Sequence, residues 1–249
     1  MTIAHSIYKE VGQAVVDAEK CTVCGLCVKI CPSEVLSLEN GRVAVNSDNF
    51  FGCIACGHCA MVCPADAISV TGRGTRPEYI QPLTDPAGRA NAQQLMGLMM
   101  ARRSIRHFSD KPVERSVAEK VLEMASTAPM GIPPWDVGCS VVLDRNQAKA
   151  LTDGIIKGYI GLLKIFKPWL LKLLRPVIGK DRYEMFNGFL LPLAQAYVHE
   201  YKAGRDVLFY NAPAIFVFHH WKYSDPTDAT IACTYAMLAA QSLGLGTTM

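Results

Sequence analysis

The stretch from Cys21 to Cys63 constrains this chain more than any other. It reads Cys21-x-x-Cys24-x-x-Cys27-x-x-x-Cys31-Pro32 and then Cys53-x-x-Cys56-x-x-Cys59-x-x-x-Cys63-Pro64. A cubane iron–sulfur cluster takes four thiolates, three from a tight turning backbone and one from further off. Where two such runs occur, the fourth Cys of each ligates the other cluster. The spacing therefore assigns one [4Fe-4S] cluster to Cys21, Cys24, Cys27 and Cys63, and a second to Cys53, Cys56, Cys59 and Cys31. Zinc is the competing reading, because paired C-x-x-C also makes a tetrahedral S4 site. The third Cys of each run and the Pro after the fourth argue against it.

This segment resembles the bacterial-type two-cluster ferredoxins. The residues around it fit: Ala14-Val15-Val16-Asp17 reads as a strand, and Glu34 to Val45 carries Asn40-Gly41 between apolar-polar alternations, the signal for a tight hairpin. Ala67 to Val70 reads as the closing strand. His58 lies inside the second run, but the thiolate count is already complete, so it reads as a surface or packing residue.

With 249 residues, half of them hydrophobic, the chain is long enough for one small domain and one sizeable core. The formal charge of +3 argues against a nucleic-acid partner. Eight of the ten cysteines are used by the clusters, which points to a reducing compartment and not to a disulfide framework. Residues 1–9 lack the charged start and apolar core of a signal peptide, and no run of about 18 uncharged apolar residues occurs. A cytoplasmic protein is the expectation. Between Thr71 and Asn91, Gly72, Gly74, Pro77, Pro82, Pro86 and Gly88 interrupt any apolar period. The expected organisation is a two-cluster domain over 1–72, a linker over 73–94 and a second domain over 95–249.

In the second domain, Leu95 to Met100 leads as an apolar helix into Arg102-Arg103-Ser104-Ile105-Arg106. Three guanidiniums and a hydroxyl suit a phosphate, since Arg makes bidentate contacts to such anions. A solvated basic turn is the plain alternative. Lys111-Pro112-Val113 reads as the opening of a helix through Val117, Val121, Leu122 and Ala125, followed by Ala128-Pro129-Met130-Gly131 up to Pro134-Trp135 and a strand over 138–143.

Here the chain is similar to the nitroreductase family of FMN-dependent oxidoreductases: an Arg-x-Ser-x-Arg turn, a helix, an Ala-Pro loop ending in Pro-Trp, and a strand. Asn211-Ala212-Pro213-Ala214 before a strand at 215–219, and a helix over 229–243 ending in Gly244-Leu245-Gly246-Thr247-Thr248, repeat the family's later landmarks. The resemblance covers about residues 95–145 and 205–249. It implies an α+β chain in which the ferredoxin-like domain precedes a nitroreductase-like α/β sandwich, a central sheet flanked by helices, and a homodimer with FMN at the interface. It also implies that Arg102, Ser104 and Arg106, helped by Arg103, hold the flavin phosphate, ribityl chain and pyrimidine edge. Pro129, Met130 and Gly131 would line the ring, and Gly244, Leu245 and Gly246 would approach its other side. No side chain is a catalytic nucleophile on this reading; the chemistry sits at the flavin N5. Two departures stand out. The Ala-Pro loop is shorter than is common in the family and lacks its usual Asn and Gln. The sequence also stops at Met249, where family members continue into N5 contacts and an extension embracing the partner subunit, so those contacts lie beyond it or come from elsewhere.

Gly244-x-Gly246 follows a helix instead of a strand, which excludes a Rossmann fingerprint. Cys139, Cys233, Trp135, His219 and His220 read as packing residues. Residues 154–180 form a basic apolar insert with Lys157, Lys164, Lys167, Lys172, Arg175 and Lys180 and no acidic residue. Pro168 should kink or restart its helix. The insert is either a lid or dimer-packing element, or an amphipathic helix making peripheral contact with a membrane. A helix over 182–201 should follow it.

The leading expectation is an iron–sulfur flavoprotein oxidoreductase. A ferredoxin-like or NAD(P)H-linked donor would feed the clusters, which pass electrons to FMN and on to a small organic acceptor such as a nitroaromatic or quinone. The alternative is an electron-transfer module serving a protein partner, and a minor third is a flavin domain kept only as scaffold.

Overall fold

A computed structural model of the protein describes residues 11–46, 52–131, 136–222 and 224–249. The Pro133-Pro134-Trp135 end of the Ala-Pro loop lies outside them.

The cysteine-rich segment is built on a duplicated backbone. Strand β1 (Gln13–Val16) pairs antiparallel with β4 (Ile68–Thr71), Gln13 opposite Thr71 and Val16 opposite Ile68. In β4 the alternation Ile-Ser-Val-Thr puts Ile68 and Val70 inward and leaves the polar residues exposed, as a half-buried strand requires. Between them, β2 (Leu36–Glu39) and β3 (Arg42–Val45) form the hairpin expected from Asn40-Gly41. Asn40 and Gly41 have φ of 48° and 73°, the pair of positive values that a two-residue primed turn demands. Each cysteine run feeds a short helix, α1 (Leu26–Ile30) or α2 (His58–Met61). Ala14, Val35, Leu36, Ala55, Ile68 and Val70 close a core that also contains Cys27, Cys53 and Cys59.

The proline- and glycine-rich stretch holds single 3-10 turns at Pro77–Tyr79 and Pro86–Gly88, and the Leu83 N–H donates to the Met61 carbonyl. Helix α3 (Ala92–Ala101) starts on a reciprocal cap: the Asn91 N–H donates to Gln94 Oε1 and the Gln94 N–H to Asn91 Oδ1, both at 2.9 Å. It buries none of its residues.

Helix α4 (Arg115–Ala125) buries Ala118, Val121 and Ala125 on one face. It begins later than Lys111-Pro112-Val113 suggested. Glu114 still has extended φ and ψ of −65° and 145°, so the first helical residue is Arg115. Strands β5 (Val137–Val142) and β6 (Ile215–His220) form a two-stranded sheet. Helix α5 (Arg145–Ile165) is capped by Asp144, whose carboxylate accepts from the Gln147 N–H at 2.9 Å. Pro168 opens α6 (Pro168–Ile178) at a position where its missing N–H costs nothing, so the basic insert is two helices and not one.

The helix expected over 182–201 is also subdivided. After α7 (Lys180–Glu184), Met185–Leu190 form a π turn, and α8 (Leu191–Lys202) follows. Pro192 cannot donate to the carbonyl of Gly188 and its ring crowds that turn, which accounts for the wider winding. Helix α8 packs on α5, and Tyr201 donates to Asp153 Oδ1 at 2.7 Å. Helix α9 (Pro226–Ser242) buries Ala229, Ala232, Ala236, Ala239 and Ala240, small residues that admit close packing. Among the described residues, no helix is long and apolar enough to cross a membrane.

Candidate functional site

The two cysteine runs place their thiols around two separate hollows. One, of about 290 Å³ with its open mouth, is lined by Cys21, Cys24, Cys27 and Cys63; the other, of about 320 Å³, by Cys31, Cys53, Cys56 and Cys59. The fourth Cys of each run has thus crossed to the other run's hollow. The crossing follows from local backbone. Val23 and Ala55 adopt φ of 57° and 56°, and Gly25 and Gly57 both adopt 75° and cap α1 and α2. Two left-handed residues per loop curl three cysteines around one point, and glycine takes the second of them without strain. The short helix then carries the fourth Cys away.

Four sulfurs around a hollow fit a cluster better than a single ion. Among the described residues, no three His, Cys, Asp or Glu side chains form a group able to grip one metal ion. The Ala55 N–H donates to Cys53 Sγ at 3.4 Å and the Ala67 N–H to Cys63 Sγ at 3.3 Å, contacts of the kind that tune cluster potentials. Burial pushes the Cys59 thiol up to about 12, and the nearby Cys56 and Cys53 add to that rise. Burial also pushes up Cys27, Cys53 and Cys56. Thiolates in such surroundings need a cationic core to offset their charge. His58 is exposed and lines the second hollow beside its four thiols.

Two residues not singled out in the sequence stand beside the second hollow. Arg73 and Asp136 are each 4% exposed, and the Arg73 guanidinium acts electrostatically on both Asp136 and Cys53. Arg73 lies in a tight turn in which the Thr75 N–H donates to the Gly72 carbonyl. The Thr75 hydroxyl donates to the Ala55 carbonyl at 3.0 Å, fastening the turn to the cluster loop. An isolated Arg after a strand carries no signal of this in the sequence.

The arginine segment is extended, not turned. Ser104 makes a parallel bridge with Thr247, and the Ile105 N–H donates to the Thr247 carbonyl at 2.9 Å. This pairing brings Arg102, Arg103, Ser104 and Arg106 beside Gly244, Leu245 and Gly246. Gly246 is required there: a Cβ would approach Ile105 Cγ1 to 2.9 Å. Arg106 stacks over Tyr210 at 5.7 Å, and Arg103 donates to the Arg102 carbonyl at 2.8 Å. The Thr247 hydroxyl is buried with no hydrogen-bond partner among the described residues. An orphaned hydroxyl beside a half-buried Arg102 and exposed Arg103 and Arg106 fits a polar, anionic group such as a flavin phosphate and its ribityl chain.

Pro129, Met130 and Gly131 follow α4, with Met130 half-buried and the other two exposed. The Gly131 N–H is already committed, donating to both Asp228 carboxylate oxygens at 3.1 Å. Asp228 was not foreseen, because 97 residues separate it from its partner. His219 packs its ring on Gly138, where a Cβ would not fit, in keeping with a packing role.

Comparison with known proteins gives two family matches: the Nitroreductase family over residues 99–249 and a 4Fe-4S dicluster domain over residues 20–68. None of the curated proteins matches the chain. Among solved structures, it is similar to an FMN-dependent nitroreductase from Clostridium difficile R20291, at 22% identity over 63% of this chain with a TM-score of 0.42. It spans 59% of that protein's length. It is similar to a nitroreductase with bound FMN from Bacteroides fragilis at 19% identity, covering 62% of this chain and 67% of the other, TM-score 0.41. A third likeness is to the FMN-dependent nitroreductase NfnB from Mycobacterium smegmatis in complex with NADPH, at 21% identity over 61% of this chain and 72% of the other, TM-score 0.41. The family match spans more than half of the 249 residues and carries the assignment: this chain belongs to the nitroreductase family and bears a 4Fe-4S dicluster domain ahead of the family's own domain.

Proposed function

We propose that the protein is an FMN-dependent oxidoreductase in which two [4Fe-4S] clusters supply electrons to the flavin, and the flavin passes them to a small organic acceptor such as a nitroaromatic or quinone. The observation that carries this reading is the pair of thiol-lined hollows in a nitroreductase-family chain. Clusters move single electrons, and FMN joins one-electron donors to two-electron acceptors.

The chain's own residues have definite tasks in this scheme. Cys21, Cys24, Cys27 and Cys63 hold one cluster, and Cys31, Cys53, Cys56 and Cys59 hold the other. Arg102 and Ser104 take the flavin phosphate, with Arg103 and Arg106 adding positive charge, and the Thr247 hydroxyl completes the polar cradle. Gly244, Leu245 and Gly246 bring backbone close without side-chain obstruction. Pro129 and Met130 line the ring, and Asp228 positions the loop by holding Gly131. A ferredoxin-like or NAD(P)H-linked protein is the donor, and the working unit is a homodimer.

The test is to purify the protein without oxygen, count iron and extractable FMN, reduce the clusters and follow their reoxidation on adding nitroaromatics or quinones. Stoichiometric FMN with multiple turnovers is the expected result. Bound FMN with no turnover of any small acceptor would instead support an electron-transfer module that serves a protein partner. One observation favours that second reading: α3 leaves Leu95, Met96, Met99 and Met100 exposed at 43%, 58%, 48% and 63%, an adaptable apolar surface suited to another protein. An iron-replete protein that binds no FMN would reject both.

A further inference from the structure

We infer that the outer face of α6 is a docking surface for an anionic phospholipid membrane, on which the helix lies in the plane of the interface. Trp169, Leu173 and Val177 recur every fourth residue along α6 and are 67%, 69% and 83% exposed. Ile165, at the end of α5, is 63% exposed. Leu171, on a different side of the same helix, is 1% exposed and anchors α6 to the protein. The helix therefore presents a strip of large apolar side chains to water while held in place by another.

Charge identifies the occupant. The strip sits in a segment, 154–180, with six cations and no acidic residue, and all six are exposed. Lys180 pairs with Glu184 at 3.8 Å and Arg175 stacks on Tyr183 at 5.4 Å, but Lys157, Lys164, Lys167 and Lys172 make no salt bridge among the described residues. Six positive charges exceed the formal +3 of the whole chain, so the remainder is net acidic and the attraction to an anionic surface is concentrated in this segment. A second copy packed face to face here would bring two lysine-rich borders together, which is repulsive. An anionic lipid surface accepts both components at once, headgroups at the lysines and acyl chains at Trp169, Leu173 and Val177. At 11 residues α6 is too short to span.

This inference is independent of what the flavin domain reduces. The test is flotation of the whole, cofactor-loaded protein with phosphatidylcholine vesicles and with vesicles also containing phosphatidylglycerol. The expected result is flotation with the anionic vesicles only, reversed by salt. Leu173→Asp and Val177→Asp should abolish it, and Lys172→Gln should lower the partition coefficient roughly fivefold. These positions are exposed, so iron content, flavin content and circular dichroism should match the parent. Equal flotation with both vesicle types, or undiminished flotation of Val177→Asp, would overturn the inference. So would failure to float combined with a dimer, seen by sedimentation, that Leu173→Asp and Val177→Asp dissociate; the strip would then be an interface between copies.

Discussion

The backbone N–H of Gly131 donates to both carboxylate oxygens of Asp228, each at 3.1 Å, and so ties the loop after α4 to the first turn of α9. Asp228 is 7% exposed and sits at the helix end where a carboxylate also meets the positive pole of the helix. Hydrogen bonds to charged groups contribute roughly 1.5–3 kcal/mol. Asp228→Ala should therefore cost about that much in a denaturant titration and weaken FMN binding followed by flavin fluorescence. Asp228→Asn should retain part of both. An unchanged flavin affinity in Asp228→Ala would show that the loop is held without this contact.

Arg73 places a buried positive charge beside Cys53, with Asp136 as its counterion. Burial draws the guanidinium below its usual range, while Asp136 and Cys53 act in the opposite direction. Added electron density on the second cluster is favoured by a nearby cation. Arg73→Gln should lower the potential of that cluster and Asp136→Asn should raise it, with the first cluster as internal control. An effect equivalent to a tenfold change in the reduced-to-oxidised ratio appears as ~59 mV in a one-electron titration. Parallel shifts of both clusters would contradict this assignment.

The core around the hollows includes three of the cysteines themselves, Cys27, Cys53 and Cys59, against strands of only four residues. So small a core depends on its clusters. Chelation or oxidative loss of iron should open residues 11–72 to protease, while α5 and α8 stay protected. Resistance of the iron-free protein to cleavage before Gly74 would contradict this.

Leu171 offers a contrast within one helix. Leu171→Ala removes a side chain that is 1% exposed and should cost about 2–5 kcal/mol. A polar substitution at Val177, 83% exposed, should stay within about 0.5 kcal/mol. Thermal unfolding of the two variants side by side provides the check.

Acid should destabilise the protein through at least two surface carboxylates. The hydrogen bond from Arg205 holds Glu200 below the usual carboxylate range, and that from the Thr227 hydroxyl does the same for Asp225. A depressed folded pKa stabilises above the unfolded value and loses that stabilisation as pH falls through the folded one. Stability should therefore decline below the ordinary carboxylate range. Glu200→Gln should flatten part of that decline, read as denaturation midpoint against pH.

The cysteine spacing made the 4Fe-4S dicluster segment legible, because a thiolate set has to be delivered by a fixed number of backbone residues. Asn40-Gly41 specified its hairpin for a similarly local reason. The helices after Leu95 were partly legible from apolar period, but the start of α5 on its Asp144 cap and the joints between helices were not. Helix α4 starts only at Arg115, and Pro192 widened the helix before α8, since a proline acts on the turn it interrupts and the outcome depends on what packs there. The arginine segment stood out as a run of cations, but its extended form and its pairing with Thr247 came from a partner more than a hundred residues away.

Local chemistry, then, was determined by the sequence alone: which thiols form sets, where the chain turns, and which face of a helix is apolar. Tertiary structure decided the rest. It set Asp228 on Gly131, Arg73 beside Cys53, and Trp169, Leu173 and Val177 outward while Leu171 went inward. Each depends on which segments distant in the chain come to share a few ångströms of space, and neither residue type nor spacing encodes that.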